Sequence, residues 1–465
     1  MKNYDYIIIG TGPAGSIIAS NLAKEGKKIA MIDRATNTNL KNNKNSFKFS
    51  PYVNSCPNHY SPLFSNQLGG NSALWNNKVF LLTEEEFNTA NWGFQYNELL
   101  EYSKDLSKQL NIDHKYVSNV STDNNVKYSS SFRAKKLGNI FHYLKILENK
   151  NIDVYYPSTP IKLIFDEKKK VKALMVKNYE SKNDFTISLN KALIFCAGGL
   201  GNPNLIQNLI KNSNPLIGKN LSDHPHINLG SLKLDQAKEF FKLGKYFLNQ
   251  KDDNTELNSF FKIKSHFVGI QLDFIADPSR FLKRIFIRSR YLFPKIIISF
   301  LIKYYALFIK ICIKIFSVIN LKGKYSYEFF FSQEPNIKNS IEIDHNIKDE
   351  YGLFKSNINW DFSESEKEEY QVIINHIIGK DGVFPNNNNV QKFDTTKILA
   401  GLHPSCTTSI GDNGNSCVDK NLNLIGYDNI FLSGSSVFKI NGFTNPTWTI
   451  MTLSNRLSSY LKKKK

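Results

Sequence analysis

Tyr6-Ile7-Ile8-Ile9-Gly10-Thr11-Gly12-Pro13-Ala14-Gly15 decides the fold. Four apolar residues in a row read as a strand buried on both faces of a parallel sheet. The glycines that follow permit a tight turn, a close backbone approach to a pyrophosphate, and close helix–strand packing. A helix over about Ala14 to Glu25 comes next, its N-terminus suited to phosphate charge, with Gly26 just past its end. Lys28 to Ile32 reads as the next strand, closed by Asp33, 23 positions after Gly10. That is near the spacing at which a carboxylate reaches a ribose hydroxyl, and an acid there favours FAD or NAD over NADP.

Further along lie a second glycine-rich turn, Leu68-Gly69-Gly70-Asn71-Ser72-Ala73-Leu74-Trp75, and a polar stretch, 116–130, expected as a loop. Ile161 to Lys177 reads as two strands around a turn at Asp166 to Lys170. Ala192 to Ala197 reads as a strand closed by Gly198-Gly199, with a helix starting near Pro203, a good first-turn residue. Ile217 to Pro225 is a compact turn. Strand-like runs follow at Tyr325 to Ser332, Ser340 to Ile343 and Lys355 to Trp360. The chain then returns to a strand at Ile430 to Ser433 and a terminal helix over about Thr447 to Leu461.

With 465 residues the chain can hold two domains. Its five cysteines, Cys56, Cys196, Cys312, Cys406 and Cys417, form no metal-like spacing and point to a reducing compartment. The first apolar run is too short for a secretory signal, so a cytoplasmic protein is expected. The net charge of +19 suggests nucleic acid, but Lys and Asn crowd together in loop-like stretches such as Thr36 to Asn45, and no nucleic-acid module is recognisable. No G-x-S-x-G elbow supports Ser-His-Asp hydrolysis.

Taken in order, Gly10 to Gly15, Leu68 to Ser72, Ala197 to Pro203, Gly218 to Pro225, Ser332 to Ile343 and His403 through Ile450 resemble the glucose–methanol–choline (GMC) oxidoreductases. The last segment carries most weight: His403 ahead of Thr407-Thr408, then Cys417-Val418-Asp419, Gly426 to Phe438, and Asn445-Pro446-Thr447. The resemblance implies an α/β flavoprotein. A discontinuous Rossmann-like FAD-binding domain is expected over 1–230 and 396–465, and an α+β substrate domain on an antiparallel sheet over 231–395. It implies oxidation of an alcohol CH–OH group by hydride transfer to flavin N5, as a dehydrogenase rather than an oxidase. The cofactor would be held by Gly10, Gly12, Pro13, Ala14, Gly15, Asp33, Gly69, Gly70, Asn71, Ser72, Ala197, Gly198, Gly434, Ser435, Asn445, Pro446 and Thr447. His403 takes the role of base and Asn445 orients the substrate oxygen. His224 reads as a turn-shaping residue and His226, His266, His345 and His376 as ordinary ones. Leu74 stands where some relatives attach FAD through a histidine, so non-covalent FAD is expected. No metal is expected, and no motif identifies the electron acceptor.

Three positions depart from the family pattern: Cys406 stands where the box has glycine, Gly434 replaces an acid, and the usual Ser-Gly-x-Gly after Pro203 is missing. Cys406 supports the alternative, a flavoprotein that binds or isomerises a lipid-like ligand without net oxidation. A last feature is particular to this chain. From Pro278 to Tyr327 there is no acidic residue and there are eleven Lys or Arg. At 100° per residue, Ser299, Lys303, Lys310, Lys314 and Ser317 share one arc of an otherwise apolar helix. Lysines at that depth disfavour a spanning helix and fit one lying in the plane of an anionic membrane; packing on its own domain or in a dimer is the other reading. A sugar, a lipid-linked sugar or a lipid-like alcohol is the expected substrate.

Overall fold

Ile9 pairs with both Ile32 and Phe195 in a parallel register, so the three strands end at one level and their next residues gather at one edge. The structure, a computed structural model, describes residues 1–36, 48–49, 52–57, 60, 63–75, 77–112, 120–123, 126–134, 137–181, 183–211, 213–233, 255–263, 266–274, 324–378, 394–395, 398, 400–412 and 414–464. The basic stretch 278–320 lies outside these residues.

The first sheet runs Ser158–Phe165, Val171–Asn178, Asp184–Phe195, Asn3–Ile9, Ile29–Ile32, Ile152–Tyr155. The strand Asp184–Phe195 outruns its antiparallel neighbour, whose pairing reaches only Ser188, and Ile430–Leu432 takes the freed edge at Leu193 to Phe195. Ile7, Ile8, Leu193 and Ile194 are fully buried, as a strand covered on both faces requires. The helix Pro13–Ala23 packs against the terminal helix Thr447–Lys463, which also packs on Tyr96–Gln109. Crossover geometry leaves a crevice outside the carboxyl ends of the parallel strands, the usual place for a ligand in such sheets.

A second sheet, antiparallel, joins His226–Lys233, Lys324–Phe331, His266–Phe274, Thr255–Ile263, Val126–Arg133 and Lys78–Val79, with Val120–Asp123 beside Val126–Arg133. Strands 78–79 and 120–133 therefore come from the part the sequence assigns to 1–230. The expected loop at 116–130 is corrected: its described residues form two strands of this sheet. Val120–Asp123 pairs with Val126–Arg133, whose other edge meets Thr255–Ile263 more than a hundred residues away, so local polarity hid them. Ser340–Lys348, Phe354–Asn359 and Val53–Ser55 form a small third sheet.

A second correction concerns Pro203. The helix begins at Gly198, not near Pro203, and runs to Leu209 with the proline inside. Proline has no N–H for the carbonyl four residues back, which is Gly199. The Thr407 hydroxyl donates to that oxygen at 2.7 Å, replacing the lost bond from a distant loop. Among the described residues no helix is long and apolar enough to cross a membrane.

Candidate active site

The glycine turn divides its work residue by residue. Gly10 has φ +106°, and a Cβ there would lie 2.5 Å from the Cys196 oxygen. A Cβ on Gly15 would run into the Gly10 carbonyl, so Gly15 allows the helix to sit on the strand. Gly12 is different: a Cβ there would meet nothing within 4 Å, because it faces open space. Asp33 locks the turn. Its Oδ2 accepts from both the Thr11 amide and hydroxyl at 2.6 Å, and its Oδ1 from the Ala35 amide at 2.8 Å. A carboxylate has about four lone-pair sites, so one remains for a ligand. Burial pushes this carboxyl up from its ordinary range against those donors.

Thr11 also recruits the second turn, its hydroxyl accepting the Gly69 amide at 3.0 Å. Gly69 sits at φ +91° with the Asn139 side chain where a Cβ would be, and a Cβ on Gly70 would lie 3.4 Å from Gly12 Cα. The turns after the strands ending at Phe195 and Leu432 are stitched together by Asn202. Its Oδ1 accepts from Ala197 N, and its Nδ2 donates to the Ser433 carbonyl and Ser436 hydroxyl. Gly434, at φ +121°, rests over Gly198. The Ser435 hydroxyl donates to the Pro404 carbonyl, and the Cys406 amide to the Ser435 carbonyl, which brings the His403 loop to the same edge. Cys406 itself takes φ +68°, the left-handed region natural to the glycine it replaces.

His403 meets a second histidine there. His224 Nε2 contacts His403 Nδ1, and His224 Nδ1 lies 3.3 Å from the Phe443 carbonyl. Asp223 Oδ1 accepts the amides of both His224, at 2.7 Å, and His403, at 3.1 Å, while its Oδ2 is buried without a partner. Burial, with His226 nearby, lowers the His403 imidazole to about 4. His224 is pushed well below its ordinary value by burial, then by His403, His226 and Lys78. Burial raises the Asp223 carboxyl to about 7. An Asp223 oxygen and a nitrogen from each ring lie within 4.8 Å of one another, a spacing a metal could bridge, but the direct ring–ring contact occupies it.

One cavity of about 610 Å³ joins these parts. Of the residues expected from sequence, Gly10, Gly12, Pro13, Ala14, Asp33, Gly70, Asn71, Ser72, Ala197, Gly198, Gly434, Ser435, Pro446 and Thr447 line it, as do His403 and Asn445. Gly15 and Gly69 lie behind its wall as packing residues. Asn445 makes no hydrogen bond among the described residues, leaving its amide for a ligand. Three helices, Pro13–Ala23, Gly198–Leu209 and Thr447–Lys463, begin at the wall, a field suited to a pyrophosphate. The open faces at Gly12 and Gly198, and the buried, unpartnered Arg34 Nη2 and Ser65 Oγ of lining residues, fit a large polar group.

Sequence reasoning passed over several lining residues. Arg34 is held by Asp349 at 2.7 Å and lies 4.6 and 4.8 Å from the Tyr52 and Tyr351 ring centroids; its place beside Asp33 was the available signal. His224 was read as shaping a turn, yet it touches His403. His226, Lys78, Trp75, Phe80, Phe330 and Phe443 line the end near the histidines. His345, read as ordinary, packs edge-on to Phe354.

Two family models, both described as GMC oxidoreductase, match residues 127–226 and 335–454. Pyridoxine 4-oxidase from Mesorbium loti shares the fold at a TM-score of 0.63 and 13% identity, with all of both chains covered. A formate oxidase shares it at 0.64 and 13%, covering 99% of this chain and 98% of the other. No curated protein sequence matches the chain.

Proposed function

The chain belongs to the GMC oxidoreductase family, and we propose that it oxidises an alcohol with an apolar body, using non-covalently bound FAD. The observation that carries this reading is the single cavity running from the glycine turn at Gly10 and Gly12 to His403 and Asn445. FAD, when bound, supplies a two-electron acceptor for the hydride. Gly12, Gly70 and Gly198 would let backbone approach its phosphates, Asp33 and Arg34 would hold its adenosine end, and Leu74 in the wall offers no nucleophile for a covalent link.

His403 accepts the substrate hydroxyl proton as the hydride leaves the carbinol carbon, which becomes a carbonyl. A base whose imidazole is neutral at working pH suits that step. Asn445 hydrogen-bonds the same oxygen and holds it for transfer. Trp75, Phe80, Phe330 and Phe443 support an apolar substrate body, and the basic stretch 278–320 supports a lipid-like or lipid-linked alcohol met at a membrane surface.

Anaerobic bleaching of the bound flavin by a panel of alcohols tests this. An alcohol that bleaches it at a saturable rate supports the reading. A flavin that no alcohol bleaches supports the second reading, a flavoprotein that binds or isomerises its ligand, whose support in the sequence is Cys406. Reoxidation by air, against reoxidation by a quinone or dye, separates an oxidase from the dehydrogenase expected from sequence.

A further inference from the structure

We propose that His224 is a positioning residue that sets the tautomer of His403, so that the bare nitrogen facing the cavity is Nε2. The inference rests on His403 being the base. A carbonyl oxygen only accepts hydrogen bonds. The His224 nitrogen that faces the Phe443 carbonyl, Nδ1, therefore carries a proton. In a neutral imidazole the other nitrogen is then an acceptor, and burial among His403, His226 and Lys78 keeps His224 neutral. Its Nε2 meets His403 Nδ1, so His403 Nδ1 is the donor. With its proton placed there, neutral His403 has its lone pair on Nε2. That atom makes no hydrogen bond among the described residues, and His403 lines the cavity.

The start of this chain is rigid. The Phe443 amide donates to Glu86 Oε1 at 2.9 Å, and the other Glu86 oxygen accepts from the Thr83 amide and hydroxyl at 3.0 and 2.8 Å. Glu86 is fully buried. A Cβ on Gly442 would strike it, and the Phe443 ring fills the space a Cβ on Gly269 would need. The carbonyl is thus fixed toward His224. Asp223 Oδ1 fixes the other side by holding the amides of both histidines. The opposite proton arrangement would set the His224 lone pair against the carbonyl lone pairs.

The test is long-range ¹H–¹⁵N correlation on the flavin-loaded protein labelled at its nine histidines, assigned by single substitutions. His403 should show a protonated Nδ1 and a bare Nε2. In His224→Leu, which has no acceptor, His403 should move its proton to Nε2, and flavin reduction should slow roughly ten- to a hundredfold, with KM changing far less. His224→Gln, whose amide oxygen reaches the Nε2 position, should keep the tautomer and recover most of the rate. A parent His403 protonated on Nε2 overturns the proposal, whether or not the leucine variant folds. So does an unchanged tautomer in His224→Leu. Tautomers as expected in a protein that no alcohol bleaches would sink the alcohol reading and leave the positioning role standing.

Discussion

Gly12 and Gly15 sit three residues apart in one motif, yet the structure gives them opposite tasks, and paired substitutions separate them. Gly12 has φ −57° and ψ −178°, an extended backbone that any residue adopts, and its missing Cβ looks into open space. Gly12→Val should therefore leave the FAD-free protein within about 1 kcal/mol of the parent, since lower unfolded-state entropy offsets a poorer helix cap. The valine methyl groups stand in the cavity. Parent protein in FAD at a hundred times its Kd gains about 2.7 kcal/mol of stability; the variant should gain none and purify colourless. Gly15→Ala behaves otherwise. Its Cβ meets the Gly10 carbonyl, backbone that cannot swing away, so the FAD-free protein itself should lose about 1–3 kcal/mol, as overpacked sites do. Urea unfolding with and without FAD reads both effects, and absorbance of flavin released by acid checks occupancy and the absence of a covalent link. A Gly12→Val protein that holds stoichiometric FAD, or gains the parent's stabilisation from it, refutes the cradle.

Other predictions follow the same residues. His403→Ala should keep FAD and slow anaerobic flavin reduction by roughly a hundred- to ten-thousandfold, and Asn445→Ala should slow it less; a native rate in His403→Ala removes it as the base. Because burial holds His403 at about 4, the unfolded chain binds its proton at higher pH than the folded one does. Stability from this group is whole above pH 6.5 and falls as pH drops toward 4, by about 2 kcal/mol between pH 8 and pH 5. His403→Ala should abolish that part of the slope in pH-dependent unfolding. Asp223 and Glu86, each raised by burial to about 7, act oppositely and lose stability as pH rises from 4 to 7. Thr407→Val leaves the Gly199 carbonyl without its donor and should cost about 1–3 kcal/mol; in a Pro203→Ala background, where the helix supplies an N–H again, the cost should shrink, and equal costs in both backgrounds would contradict the replacement bond. Finally, Lys303, Lys310 and Lys314 changed to Glu should release the protein from anionic vesicles without loss of FAD, each near-surface cation contributing about 1 kcal/mol; unchanged partitioning in a sedimentation assay would point to a packed helix instead.

The glycine turn, its flanking strands and helix, and the hairpin around Asp166 to Lys170 were legible in the chain because their causes are local. Apolar runs and the positive φ of Gly10 and of Gly26, in the turn past the helix end at Ala23, act over a few residues, and their free energies are written in neighbouring side chains. The late His403 and Asn445 were legible only through motif resemblance, and the structure places both on the wall of the cavity that the glycine turn begins. What no local pattern could show is whatever depends on a partner far along the chain. The strand Val126–Arg133 joins its sheet by pairing with Thr255–Ile263. Pro203 stays inside its helix because a hydroxyl from Thr407 reaches Gly199. His224 read as part of a turn until the fold set it against His403, 179 positions on. Hydrogen bonds and ring contacts are satisfied by proximity in space, and over such separations only the assembled sheets, with the loops at their shared edge, decide which groups meet.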